Sequence, residues 1–160
     1  PEVKSCRTIR RCIVAVQSQS ELLHGERKPY EGVLKYAAEE GISFISWSPL
    51  AKGLLTDRYI DSDNIGVGDR LFDEGEIKPG SVIPQESTLR RLAAVSKEWG
   101  MSLSQLVISY MLTLPGMGPV IPAASNVAQL TSNAEAGKTI LKEDQKNEIV
   151  KIIGDPLSPT

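Results

Sequence analysis

This chain is poor in the side chains that most often bind metals or move protons. It has one histidine, His24, and two cysteines, Cys6 and Cys12. The cysteines lack a CxxC spacing and have no histidine cluster beside them, which argues against a zinc site. They read as reduced thiols of a cytoplasmic protein. No acid/base cluster surrounds His24, which reads as a surface loop residue. An excess of one charge is also missing: 18 basic side chains stand against 20 acidic ones. That balance argues against nucleic acid, or a membrane surface, as a partner drawn by bulk electrostatics. No apolar run approaches the roughly 18 residues of a membrane-spanning helix. The first residues, Pro1-Glu2-Val3-Lys4, read as the first turn of a helix over 2–10 and not as a signal peptide.

What is present is an alternation of apolar runs and amphipathic stretches. A chain of 160 residues is normally one domain with a sizeable core, so 1–160 reads as a single domain. The run Ile13-Val14-Ala15-Val16 ending in Gln17 reads as a buried strand, and 18–27 as a polar loop. Residues 29–40 place Tyr30, Val33, Leu34, Ala37 and Ala38 on one helical face, closed by Gly41. Ile42-Ser43-Phe44-Ile45-Ser46-Trp47 is a second strand. Strand, helix and strand recur within about 30 residues, the size of a βαβ unit with parallel strands.

Residues 57–84 break the rhythm, with many Asp and Gly residues and little apolar periodicity. A loop that long is usually functional or disordered, and Asp69-Arg70 is expected to form an ion pair within it. Helices are expected over 86–99, from Ser102 to Leu114, from Asn126 to about Ala136, and from Lys142 to Ile153. Ser102 with Gln105, and Asn126 with Gln129, have the spacing of capping boxes. A third strand lies near 119–122. Three parallel strands cannot close a barrel. The chain is about 90 residues short of the roughly 250 in an eight-unit one.

Two turns follow strands and suit phosphate. One is Ser46-Trp47-Ser48-Pro49-Leu50-Ala51-Lys52-Gly53, where a Pro-fixed turn with a glycine lets backbone N–H groups approach an anion. The other is Ile121-Pro122-Ala123-Ala124-Ser125-Asn126, which leads into a helix N-terminus with its positive potential. In β/α barrels phosphate sits in the loops after the last two strands, so the pair suggests a dinucleotide. Each residue also has a plainer reading. Trp47 serves equally as a core aromatic, Lys52 as a solvated lysine, and Ser125, Asn126 and Gln129 as helix caps.

These pieces, with Val16-Gln17-Ser18 and Ala124-Ser125-Asn126-Val127-Ala128-Gln129-Leu130-Thr131-Ser132-Asn133, resemble the C-terminal part of the aldo-keto reductase family over nearly the whole chain. The Trp-Ser-Pro-Leu-Ala form is similar to the branch with bacterial aldehyde reductases and Shaker-type potassium channel β-subunits. The resemblance implies an α/β fold, the last three strands of a TIM (β/α)8 barrel with their helices. It also implies NADPH as cofactor, with NAD possible, and a small carbonyl substrate. By position, Gln17 would bond the nicotinamide carboxamide and Trp47 would stack on the ring. Ser48, Leu50, Lys52 and Gly53 would line the pyrophosphate, and the 57–84 loop would be a candidate cofactor lid. Ser125, Gln129 and Asn133 would meet the 2′-phosphate and adenine. Near Ala123 and Asn126 no Lys or Arg is present to pair with a 2′-phosphate, and Ser132 stands where acidic or amide residues are common. The family's catalytic Asp, Tyr, Lys and His have no counterpart here, so the chain alone is expected to be inactive. A portion of a barrel leaves strand edges open, which implies self-association or docking of a missing N-terminal half. The alternative is a non-catalytic interaction module.

Overall fold

The computed structural model describes residues 13–26, 32–60, 65–78, 80 and 82–154. The helix expected over 2–10, and Cys6 and Cys12, lie outside them. Among the described residues the sheet has four strands, β1 (Ala15–Glu21), β2 (Gly25–Glu26), β3 (Ser43–Trp47) and β4 (Met117–Ile121), in the order β2-β1-β3-β4. β1, β3 and β4 are parallel, as the alternation with helices predicts, while β2 runs antiparallel to β1. Helix α1 (Val33–Glu40) links β1 to β3. The connection from β3 to β4 carries the short α2 (Arg70–Asp73), α3 (Glu86–Glu98) and α4 (Leu103–Met111). Two helices follow β4: α5 (Val127–Ala136) and α6 (Glu143–Ile153).

The first strand departs from expectation. It begins at Ala15 and continues through the polar residues read as loop, while Val14 is 77% exposed. The reason is that its polar atoms find partners inside the fold. Ser18, Ser20 and Glu21 are buried, and the Ser46 hydroxyl donates to the Ser20 carbonyl at 2.8 Å. A buried polar group is tolerated when it is bonded, so polarity alone did not mark a loop here. The chain then turns at Gly25 and returns as β2.

The helices largely follow their periodicity, although Ala38 of α1 is exposed and α4 ends at Met111 rather than Leu114. Leu89 and Leu92 of α3, Leu103, Leu106, Val107, Tyr110 and Met111 of α4, and Ile149 and Ile152 of α6 enter one core cluster. Leu34, Ala37, Ile42 and Phe44 form a smaller one between α1 and β3. Ser102 accepts from the Gln105 N–H while the Gln105 side chain accepts from the Ser102 N–H, a complete capping box. At α5 only half of the expected box forms. Asn126 Oδ1 accepts from the Gln129 N–H at 2.9 Å, but Gln129 Oε1 reaches one residue further back, to the Ser125 N–H at 2.8 Å. Gly116 turns the chain between α4 and β4 at φ 79°, where a Cβ would stand 2.6 Å from the Ala38 backbone nitrogen. No other residue fits that approach.

The 57–84 segment is more anchored than its composition suggests. Tyr59, Ile65, Leu71, Ile77 and Ile83 are all buried in the main core cluster. They recur at six-residue intervals, too sparsely to register as the apolar face of a helix or a strand.

The strands themselves are two-faced. Phe44 and Ser46 point to the helix side and are buried, whereas Ser43 and Trp47 point the other way and are exposed. Period-two alternation requires this. Parallel sheets usually have both faces covered; among the described residues this one is packed on one face only.

Candidate functional site

Parallel pairing brings the ends of β1, β3 and β4 to one end of the sheet. Gln19 is the ladder partner of Trp47, Trp47 the partner of Ile121, and Gln17 the partner of Ile45. Gln17 and Trp47 therefore share the open face. Gln17 is exposed, Trp47 is 42% exposed and Ile121 is 47% exposed. A half-open indole at a strand end can take a flat ring against its free face.

The turn after β3 is strained. Ser48, Ala51 and Lys52 have φ of 57°, 48° and 58°, a region that costs a non-glycine residue on the order of 1–3 kcal/mol. Burial of Pro49, Ala51, Leu54 and Leu55 holds the turn in place. Gly53 closes it at φ 101°, and a Cβ there would lie 3.3 Å from the Tyr59 ring. Ala51 N–H donates to the Ser48 carbonyl and Gly53 N–H to the Leu50 carbonyl. The Leu50 and Lys52 N–H groups have no hydrogen-bond partner among the described residues, and such donors suit an anion.

Lys52 does not end in open solvent. Its Nζ donates to Glu74 Oε2 at 2.6 Å and to Glu76 Oε1 at 2.5 Å. Those bonds, Glu74 first, raise the ammonium above its ordinary value. Bonds from Lys52 and then Arg70 bring the Glu74 carboxyl down to about 2. The ion pair expected between Asp69 and Arg70 is replaced by two others. Asp69 takes both Arg58 Nε and Nη2, the latter at 2.8 Å, while Arg70 Nε donates to Glu74 at 2.7 Å. Adjacent residues at a helix start point in different directions, so sequence neighbours were the wrong pair. The Arg58 guanidinium holds the Asp69 carboxyl below its usual range. Burial, then the nearby Asp69 charge, raises the Tyr59 phenol.

The loop after β4 is braced by its own helix. Besides the Gln129 bond to Ser125, the half-buried side of α5 sends Asn133 Nδ2 to the Ala123 carbonyl at 3.3 Å. Ser125 and Gln129 are exposed and Asn133 is 9% exposed. Thus Gln129 and Asn133 set the shape of the 122–126 loop, and Ser125 sits at its mouth.

One cluster was not visible in the sequence. The Glu21 carboxylate is fully buried at the end of β1. It accepts from the Leu23 N–H at 2.6 Å, from the His24 N–H at 3.1 Å, and contacts His24 Nδ1 at 2.6 Å. His24 Nε2 lies 3.0 Å from Gln85 Nε2. His24 is indeed at the surface, with its side chain 50% exposed, yet it joins the β1–β2 turn to the start of α3. Gln85 lies 61 residues away, beyond the reach of any local pattern. Among the described residues no group of three or more His, Cys, Asp or Glu side chains is placed to hold a metal. No described helix is long and apolar enough to cross a membrane.

With this geometry established, known proteins supply the comparison. The profile of the Aldo/keto reductase family matches residues 3–154. An L-glyceraldehyde 3-phosphate reductase of Escherichia coli K12 is 31% identical over 111 residues, 66% of this chain and 31% of that protein. A probable voltage-gated potassium channel β-subunit of rice is 32% identical over 99 residues, 60% of this chain and 30% of that protein. An uncharacterized oxidoreductase of Schizosaccharomyces pombe is 29% identical over 163 residues, 99% and 47%. The chain thus spans about a third to a half of the length of these relatives. Among solved structures, a thermostable aldo-keto reductase in complex with the inhibitor epalrestat superposes with a TM-score of 0.63 at 19% identity, over 93% of this chain and 43% of that one. An aldo-keto reductase of Bacillus halodurans gives 0.62 at 23%, over 96% and 48%. The sheet and its helices correspond to part of a TIM barrel, and the chain belongs to the aldo/keto reductase family.

Proposed function

We propose that this chain is the cofactor-cradling portion of an oxidoreductase that reduces aldehydes or ketones with NADPH, and that also accepts NADH. The observation that carries the reading is the shared strand end: the Trp47 ring, the 48–53 turn and the 122–126 loop all follow parallel strands at one end of the sheet. The donor set fits a dinucleotide. Gln17 and Trp47 lie on one face for the nicotinamide. Ser48, Leu50, Lys52 and Gly53 form a turn with unpaired N–H groups for the pyrophosphate. Ser125, with Gln129 and Asn133 shaping its loop, opens onto the N-terminus of α5 for the adenosine end. No Lys or Arg occurs between Met117 and Gly137, which supports acceptance of NADH, since nothing there pairs with a 2′-phosphate. The bound cofactor supplies the hydride. This chain binds and orients it; the proton for the carbonyl oxygen comes from a general acid outside these 160 residues, a contribution worth roughly 100- to 10,000-fold.

NADPH-dependent turnover of an aldehyde panel by the chain alone is expected at the blank level, while calorimetry detects weak cofactor binding through the 48–53 and 122–133 loops. Turnover above blank, or no binding at all, overturns the reading. The reduced-thiol reading of Cys6 and Cys12 supports a cytoplasmic setting.

A second reading, a non-catalytic interaction module, is favoured by the open sheet. Among the described residues β4 ends the strand order, and β2 pairs with Ser20 and Glu21 of β1 alone. Unpaired strand edges seek partners, either a second copy of this chain or the N-terminal half of the barrel. Activity on adding a separately expressed N-terminal half of an aldo-keto reductase distinguishes completion of an enzyme from mere association.

A further inference from the structure

The carboxylates on Lys52 raise a question that cofactor binding alone does not answer. Lys52 is the cation of the turn assigned to pyrophosphate, yet both of its observed partners are acids from the 65–78 segment. That segment carries Asp69, Asp73, Glu74 and Glu76 against Arg70 and Lys78. It also lies 22 and 24 residues from Lys52 along the chain, so folding has brought this acidic stretch to the one lysine of the turn. Among the described residues the main-chain N–H groups around the two acids make short-range bonds: Glu74 N–H to the Arg70 carbonyl, Gly75 N–H to Phe72, and Glu76 N–H to Leu71. Leu71 and Ile77 on either side are buried. The acidic tip can therefore loosen while its flanks stay seated.

We propose that Glu74 and Glu76 form an autoinhibitory clasp, holding the Lys52 ammonium that a dinucleotide pyrophosphate must take from them. This rests on the assignment of the 48–53 turn to pyrophosphate. Binding and clasp opening are then one exchange. Phosphate oxygens replace two carboxylates on one ammonium, and the freed acids, now facing an anion, are pushed away from it. The strained backbone of Ala51 and Lys52 keeps the side chain in place for both partners.

The test uses inorganic pyrophosphate as probe, titrated by calorimetry into the full chain, Glu76→Gln, E74Q/E76Q, Lys52→Met and the combined K52M/E74Q/E76Q. Exposed ion pairs are individually weak, so the double variant is expected to bind roughly two- to fivefold more tightly than the wild type. In the wild type, pyrophosphate is expected to speed amide hydrogen exchange at 74–76. Unchanged affinity in E74Q/E76Q, or slowed exchange at 74–76, overturns the clasp. So does the same gain in a Lys52→Met background, because the acids would then act on the phosphate directly. If those results come with weakened binding by Lys52→Met alone, the pyrophosphate assignment survives the loss of the clasp. If no protein in the series binds pyrophosphate, both are overturned. Should the double variant fail to fold, Glu76→Gln, which keeps the Glu74–Arg70 pair, is expected to show the same direction of change.

Discussion

The two faces of the parallel strands are built from one backbone and covered in opposite ways. On the helix side, Phe44 and Ser46 are fully buried, and the helices behind them fill the core with Leu103, Leu106, Val107 and Met111. On the other side, Gln17, Trp47 and Ile121 remain accessible. The first face is where apolar burial stabilises the fold, at about 25 cal/mol per Å² removed from water. The second is a surface whose apolar groups are still available to a cofactor, to a second copy, or to the rest of a barrel. Stability and binding are separated by nothing more than the odd and even positions of a strand.

The sharpest break of this comparison is a pair of truncations. Leu106→Ala, on the covered side, is expected to lower the unfolding free energy by about 2–5 kcal/mol, as buried leucines do. Ile121→Ser, on the open side, is expected to stay within about 0.5 kcal/mol. Urea titrations of the two variants measure both; similar losses would mean that the open face is covered.

In the complete barrel, Trp47→Ala is expected to weaken nicotinamide cofactor binding more than Ser125→Ala. An aromatic contact adds roughly 0.5–1.5 kcal/mol beyond its area, and a hydrogen bond is worth about 0.5–1.5 kcal/mol, so the area excluded from water under the indole decides the order. Equal losses by calorimetry would make Trp47 a packing residue.

The isolated chain, 17.4 kDa, is expected to run above its monomer mass in light scattering at high concentration, and Ile121→Lys to lower that mass by charging the open face. A monodisperse wild-type monomer would count against association through this face.

The smallest effect concerns the ion pairs at the turn after β3. The Glu74 carboxyl is lower in the folded chain, at about 2, than its ordinary 4.5. A depressed carboxylate stabilises fully above its unfolded value and loses that contribution as pH falls through the folded one. The contact of Lys52 with Glu74 is therefore expected to be intact at pH 5 and to fade between about 4.5 and 2. An NMR titration of the Glu74 side-chain carboxyl with a midpoint near 4.5 would show that the pairing does not form in solution.

Much of the architecture was legible because its causes are local. The turn of α1 at Gly41, the capping box of Ser102 and Gln105, the burial of Leu106 and Ile149, and the parallel order of β1, β3 and β4 all follow from short-range spacing. Where reading failed, the deciding partner was remote or the alternation weak. The β1 extension through Ser18, Ser20 and Glu21 depends on a hydroxyl 26 residues away from Ser20. Ile65, Leu71 and Ile77 recur every six residues, too sparsely to register as the apolar face of a helix or a strand. The candidate site divides the same way. Trp47, Ser48 and Ser125 stand out by motif, whereas the roles of Gln129 and Asn133 as braces of the 122–126 loop emerged only from their hydrogen bonds.

By itself, then, the sequence determined the family, the order of the three parallel strands and the longer helices, and which two turns follow parallel strands, since motif and periodicity are written along the chain. Only the tertiary structure decided that Lys52 meets Glu74 and Glu76, that Arg58 and not Arg70 takes Asp69, and that buried Glu21 orients His24 toward Gln85. A charge's partner is chosen by proximity and desolvation in three dimensions, and neither quantity is encoded in the spacing of residues along one.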